Sequence, residues 1–218
     1  MSKRAITKKQ LVYMNLREEI IKGKYKPNER LIITKIAERF GVSQIPVREA
    51  LQQLASDGYI IFSPHTGAMV KSISLNELRE IFEIRITLEA LATELSINNV
   101  SDTNIQEIEE IIIESENADI ESYPYYNRKF HEKIYYFSNN HRLLKIISDL
   151  WDNSTRYPNL FKQDIDIKTS IKEHRDILNA IKKRNAPLAK QLMIDHKMTA
   201  YNKIVQLIKD EKSVKQQL

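Results

Sequence analysis

The run ERLIITKIAERFGVSQIPVREALQQLASDGYIIFSPHTGAMV, residues 29–70, sets two helical periods, a tight turn and a glycine-tipped hairpin in immediate succession. Thr34 to Phe40 spaces Ile36, Ala37 and Phe40 along one side of a helix, and Gly41 stands where a left-handed residue is needed to end it. Gly41 and Val42 form the turn. Ser43 is placed to cap the next helix, and Pro46 is tolerated in its first turn because the amides there have no intrahelical acceptor. Val47, Ala50, Leu51 and Leu54 then recur as one apolar stripe, which leaves Gln44, Arg48 and Gln52 on a polar face. After Asp57 and Gly58, the β-rich runs Tyr59–Phe62 and Ala68–Val70 bracket a loop that ends at Gly67, the pattern of a hairpin. A helix pair followed by a β-ribbon is a winged helix-turn-helix. Its second helix can present side chains to base edges and phosphates in a major groove.

Helix-turn-helix geometry also occurs in proteins that never meet DNA, so charge must arbitrate. Residues 1–73 carry 13 Lys+Arg against 6 Asp+Glu, whereas residues 74–218 carry 21 against 23. The excess of the whole chain, formally +5, is thus confined to the segment holding the helix pair, as attraction to phosphates requires. Ahead of the pair, Thr7 and Gln10 have capping-box spacing, and Val12, Leu16 and Ile20 follow one helix face up to Gly23. That predicts a third helix closing a small core. The remaining residues, 74–218, suffice for a second core of their own. Without cysteine there is neither a disulfide framework nor a thiolate metal site. Met1 to Gln10 has no apolar signal core, and no apolar run approaches the ~18 residues of a membrane span, so a soluble, cytoplasmic protein is expected.

The first domain is expected over residues 1–73 and the second over 74–218. Ser74 and Glu77 again have capping-box spacing, with Ile73 and Leu78 as a hydrophobic staple, so a helix starts directly after the wing. Beyond it there is no glycine and little alternation, and the periodicity predicts a mainly α chain with six C-terminal helices: 75–97, 102–118, 123–138, 141–157, 165–184 and 186–211. The polar end, Asp210 to Leu218, is expected to fray. Arg85 and Glu89 interrupt the inward stripe of the first of these helices. His131, His174 and His196 fall near inward faces, and Asn127 projects one turn before His131. Imidazoles plus an oxygen donor are the donor set of a divalent metal site, although spacing alone cannot bring the three together. Each alone could equally be a half-buried residue with an ordinary hydrogen bond.

The residues Pro27 to Leu31, the run Gly41-Val42-Ser43-Gln44-Ile45-Pro46-Val47-Arg48-Glu49-Ala50-Leu51, then Leu54, Asp57-Gly58 and Gly67 resemble the N-terminal domain of the GntR family of bacterial transcription regulators. The resemblance implies a DNA-facing set of Arg30, Ser43, Gln44, Ile45, Arg48, His65 and Gly67. Arg30 and Arg48 would hold phosphates or bases, Gln44 would be the main base reader, and His65 with Gly67 would set the wing in the minor groove. Where the family usually has Arg then Thr, this chain has Gln44 and Ile45. Glutamine suits adenine and isoleucine can touch a thymine methyl, so an operator less dependent on guanine there is expected.

Asn127-Arg128-Lys129-Phe130-His131, the run Glu173 to Ile181, and His196 resemble the signature helices of the C-terminal domain of the FadR subfamily, and six helices resemble its VanR-type branch. That resemblance implies a metal bound by Asn127, His131, His174 and His196, with Arg85 helping to hold a small organic acid; the alternative for Arg85 is that it only neutralises Glu89, one turn along the same helix. The usual first ligand is aspartate. A neutral Asn127 weakens the site and raises its net charge by one, while three histidines still suffice for zinc or nickel. The expected protein is a homodimer on a pseudo-palindromic operator, a repressor released by a small carboxylate. Two other readings stand beside it. One is a metal-dependent hydrolase or lyase tethered to DNA, disfavoured because Glu173 and Asp195 adjoin histidines in sequence and so should point elsewhere. The other is a DNA-binding dimer with a metal-free, structural histidine cluster.

Overall fold

In the computed structural model, residues 6–63, 66–72, 74–154 and 166–216 are described, and they form two compact units. The first runs to Ser74; the second takes Leu75 to Asp152 and the described helices after residue 166.

The first unit contains α1 (Lys8–Ile21), α2 (Ile33–Phe40), α3 (Gln44–Ser56), β1 (Ile60–Ser63) and β2 (Gly67–Val70). Thr7 caps α1: its hydroxyl accepts from the Gln10 amide at 3.2 Å, and its own amide donates to Gln10 Oε1 at 2.9 Å. Val12, Leu16 and Ile20 are buried against Ile36, Ala37, Val47, Ala50, Leu51 and Leu54, so three helical stripes share one core. Gly41 ends α2 at φ +61°, where any side chain would strain the backbone. Ser43 occupies the backbone position of an N-cap, but its side chain makes no capping hydrogen bond, contrary to the expectation. The hairpin is antiparallel, with Ile60 opposite Val70 and Ser63 opposite Gly67. The far edge of β2 is not bare: Leu31 N donates to Ala68 O at 2.8 Å and Val70 N to Glu29 O at 2.9 Å. This long-range pairing has no signature in the sequence. His65 and Ile73 lie outside the described residues.

The second unit contains α4 (Leu75–Ser96), α5 (Asp102–Glu116), α6 (Tyr123–Tyr136), α7 (His141–Ser154), α8 (Ile167–Lys182) and α9 (Ala186–Gln216). These six helices, among the described residues, match the sequence reading to within a few residues at most ends. The expected limits 157 and 165 fall outside the described residues. The last helix runs on to Gln216 rather than stopping near 211, because Asp210 to Gln216 contains neither glycine nor proline and is rich in helix formers. Packing α4 and α8 against α9, and α5 against α6 and α8, buries Ile108, Ile112, Phe130, Ile134, Ile177, Leu178, Ile181 and Met193. Among the described residues, no helix is long and apolar enough to cross a membrane.

Candidate DNA-binding face and histidine centre

In the first unit, α3 turns Val47, Ala50, Leu51 and Leu54 into the core. Ser43, Gln44, Ile45, Arg48 and Gln52 are left exposed. Ile45 is 68% exposed, a position that hydrophobic burial alone does not explain. Arg30 is also exposed. It bridges to Met69 in the hairpin, and its Nη2 lies 4.0 Å from where a Cβ on Gly67 would stand. Arg30 and Gly67, far apart in sequence, therefore belong to one end of the wing.

In the second unit, α6, α8 and α9 bring His131, His174 and His196 together, all buried, with candidate ligand nitrogens within 4.8 Å of one another. His131 Nε2 and His196 Nε2 face each other at 3.1 Å. His174 stacks on Phe130 at a centroid distance of 4.1 Å, and its Nε2 is buried with no hydrogen-bond partner among the described residues.

Neighbouring groups assign the tautomers. Tyr135 donates to Glu89 Oε2 at 2.5 Å, so its oxygen can only accept from His131 Nδ1, 3.2 Å away. Glu173 Oε2 sits 2.6 Å from His196 Nδ1 and accepts its proton. With both Nδ1 atoms protonated, His131 and His196 present Nε2 lone pairs to each other, and these repel unless a proton or a cation lies between them. Burial, reinforced by the Lys197 charge, pushes His131 well below the ordinary imidazole value. Burial does the same to His174, with the His196 and Lys197 charges adding to it. Burial also lowers His196, though its hydrogen bond to Glu173 opposes the shift. A proton is therefore a poor occupant near neutrality. Two imidazole nitrogens sharing one ion at ~2.0–2.1 Å would stand ~3.0–3.4 Å apart, the range in which His131 and His196 already lie.

Behind this centre runs a buried charge network. Glu89 is fully buried and is held by Arg85 Nε at 2.8 Å and Lys197 Nζ at 3.0 Å, besides the Tyr135 hydroxyl. Burial alone would raise its carboxyl, but the Arg85 and Lys197 charges overcome that and hold it at about 2. Burial brings the Lys197 ammonium down to about 8, with Glu89 opposing. The Trp151 ring lies 4.6 Å from both the Arg85 guanidinium carbon and Lys197 Nζ.

Of the residues singled out in the sequence, the three histidines converge, and Arg85 joins them through Glu89 and Tyr135. Asn127, one turn before His131, is half-buried and takes no part in these hydrogen bonds. The expectation that Glu173 points away from the histidines is wrong. Although it adjoins His174, its side chain is long enough to reach His196 on α9. Lys197 was not foreseen, nor were the hydrogen bonds that join Tyr135 to Glu89 and His131. Lys197 does leave a signal, since it shares the stripe of Met193, Ile204 and Ile208, where a lone charge needs a buried partner.

A profile for bacterial regulatory proteins of the gntR family matches residues 8–70, and one for the FCD domain matches residues 80–199. The HTH-type transcriptional regulator YdhC of Bacillus subtilis (strain 168) is 34% identical over 192 residues, which covers 84% of this chain and 85% of that protein. The HTH-type transcriptional repressor GlaR of Escherichia coli (strain K12) is 26% identical, covering 86% of this chain and 91% of GlaR. The solved structure of E. coli McbR/YncC superposes with a TM-score of 0.76 at 26% identity, covering 93% of this chain and 99% of that one.

Proposed function

Because the chain belongs to the GntR family of bacterial transcription regulators and carries an FCD domain, and so is a DNA-binding regulator rather than an enzyme, we propose that it is a repressor controlled by a small organic acid bound beside a divalent metal. Residues 1–73 are assigned to operator binding and residues 74–218 to effector binding and dimerisation. As a homodimer the protein would place two copies of α3 in successive major grooves of a pseudo-palindromic site. Gln44 and Ile45 would meet base edges, and Arg48 and Arg30 would meet phosphates or, for Arg30, the groove beneath the wing. The repressor name of GlaR supports the direction of control.

The observation that carries the metal is the meeting of three imidazole nitrogens in a buried space: two Nε2 atoms face to face at 3.1 Å, and a third with no hydrogen-bond partner among the described residues. His131, His174 and His196 are the protein ligands, and zinc or nickel suits three neutral imidazoles. Asn127 supplies at most a neutral oxygen. The metal would provide a positive centre for a carboxylate, and the Arg85 and Lys197 side chains would favour the same charge. Control requires the effector to bind the DNA-competent and DNA-incompetent states unequally, by ~1–3 kcal/mol for typical coupling.

Elemental analysis of full-length protein purified without chelator tests this, with His174→Ala alongside. Near-stoichiometric metal that falls away in the variant is the expected result, followed by weakened operator binding when small carboxylates are added. Absence of metal even after incubation with zinc or nickel would leave the histidines as a structural cluster.

A further inference from the structure

Among the described residues, two buried side-chain polar atoms have no hydrogen-bond partner: His174 Nε2 and the Tyr123 hydroxyl. The metal proposed above accounts for the first. The second is unexplained, and a buried hydroxyl left unpaired is destabilising. Tyr123 is 2% exposed and opens α6, the helix that carries Asn127 and His131 four and eight residues on. Phe130, beside His131, stacks on His174, so this side of α6 meets α8, where Ser170 stands one turn before His174. Burial pushes the Tyr123 hydroxyl up to about 12; the neighbouring Ser170 side chain, not aligned for a full hydrogen bond, opposes the rise, and the Glu173 charge adds to it. The hydroxyl therefore keeps its proton near neutrality and lies in the field of the carboxylate that accepts from His196. Glu173 takes that proton on Oε2, and among the described residues no donor is bonded to its Oε1.

We propose that Tyr123 is a positioning residue of the metal centre: its hydroxyl donates to Glu173 Oε1, directly or through one water, and so steadies the carboxylate that points the His196 Nε2 lone pair inward. The inference rests on the metal reading above. A cation on His196 Nε2 makes Nδ1–H a stronger donor and draws Glu173 into a charge-assisted bond. The Glu173 side chain is only 26% exposed, so water solvates its charge poorly and a second donor is worth more there than in solution. Tyr123 supplies that donor from the helix that also carries His131. The hydroxyl thereby ties the orientation of His196, on α9, to a ligand on α6.

The test measures zinc affinity of full-length protein by competition with a chelating dye, for wild type, Tyr123→Phe, Glu173→Ala and the double variant. Tyr123→Phe keeps the ring and removes only the hydroxyl. It is expected to weaken zinc about tenfold, the low end for groups that orient a metal ligand. The metal-free urea midpoint, read from the emission of Trp151, the only tryptophan in the sequence, should stay level or rise, because an unpaired buried hydroxyl leaves with the substitution. On the Glu173→Ala background the same substitution should change zinc affinity by no more than about twofold, since no carboxylate remains to be steadied. If Tyr123 only packs, Tyr123→Phe will bind zinc as wild type does, and that result would overturn the proposal. So would a loss that persists in full without Glu173. Wild type that takes up no zinc would remove the metal reading and this proposal with it.

Discussion

Glu89 is the residue on which the interior of the second unit balances. It has no solvent to stabilise its charge, and its two oxygens are shared among Arg85, Lys197 and Tyr135. Removing that charge leaves two buried cations facing each other, an arrangement that costs roughly 3–5 kcal/mol. Glu89→Gln should therefore lower the stability of the unit by about that much in urea unfolding followed by Trp151 emission. Glu89→Gln combined with Lys197→Met should recover much of the loss, since one cation then leaves with the anion. A double variant no better than the single one would show that charge pairing is not what Glu89 contributes. Glu173 acts more locally, by accepting from His196 Nδ1 and so pointing the Nε2 lone pair inward. Glu173→Gln is expected to weaken zinc ~10–100-fold in competition with a chelating dye. An unchanged affinity would mean that packing alone orients His196.

At the scale of elements, α3 separates two kinds of contact that DNA binding makes measurable. Gln44→Ala should cost ~1–3 kcal/mol on the preferred operator and relax discrimination at one base pair, whereas Arg48→Ala should weaken all sequences alike and reduce the salt slope by about one. If both variants behave the same way in a salt-dependent binding series, Gln44 is not reading a base. The helix pair was legible because each local requirement has one cheap solution: a left-handed Gly41, an apolar stripe, a glycine at the hairpin. The approach of Arg30 to Gly67 was not legible, because it depends on residues 28–31 pairing with the far edge of β2. Ser43 shows the reverse case, a sequence suited to capping whose hydroxyl makes no capping bond. In the second unit, periodicity placed each histidine on an inward face but could not say that the three faces meet. The reach of Glu173 and the partner of Glu89 are likewise tertiary facts, set by which helices are neighbours.

At the scale of the whole molecule, basic charge belongs to the first unit and buried titratable groups to the second, so acid should act on them differently. Trp151 follows the second unit alone. There the three histidines are held below their ordinary value of 6.5, by burial first and neighbouring charge next. The stability this represents is present above about pH 6.5 and is lost as pH falls, because the unfolded chain takes up protons that the folded chain resists. Glu89 adds a loss of the same sign lower down: its folded value is about 2 against 4.5 in the unfolded chain, so its contribution is present above 4.5 and drains away toward 2. Lys197 works on the alkaline side, where stability rises between its folded value of about 8 and 10.5. The urea midpoint of metal-free protein, read from Trp151, should therefore fall between pH 7 and pH 5. Zinc at a hundred times its dissociation constant should add ~2.7 kcal/mol at pH 7. The same zinc concentration should add clearly less at pH 5, since its ligands must be deprotonated to bind. A metal-free midpoint that stays level from pH 7 to pH 5 would mean that protons reach the imidazoles in the folded protein. The face-to-face lone pairs of His131 and His196 would then be relieved by a proton rather than by a metal.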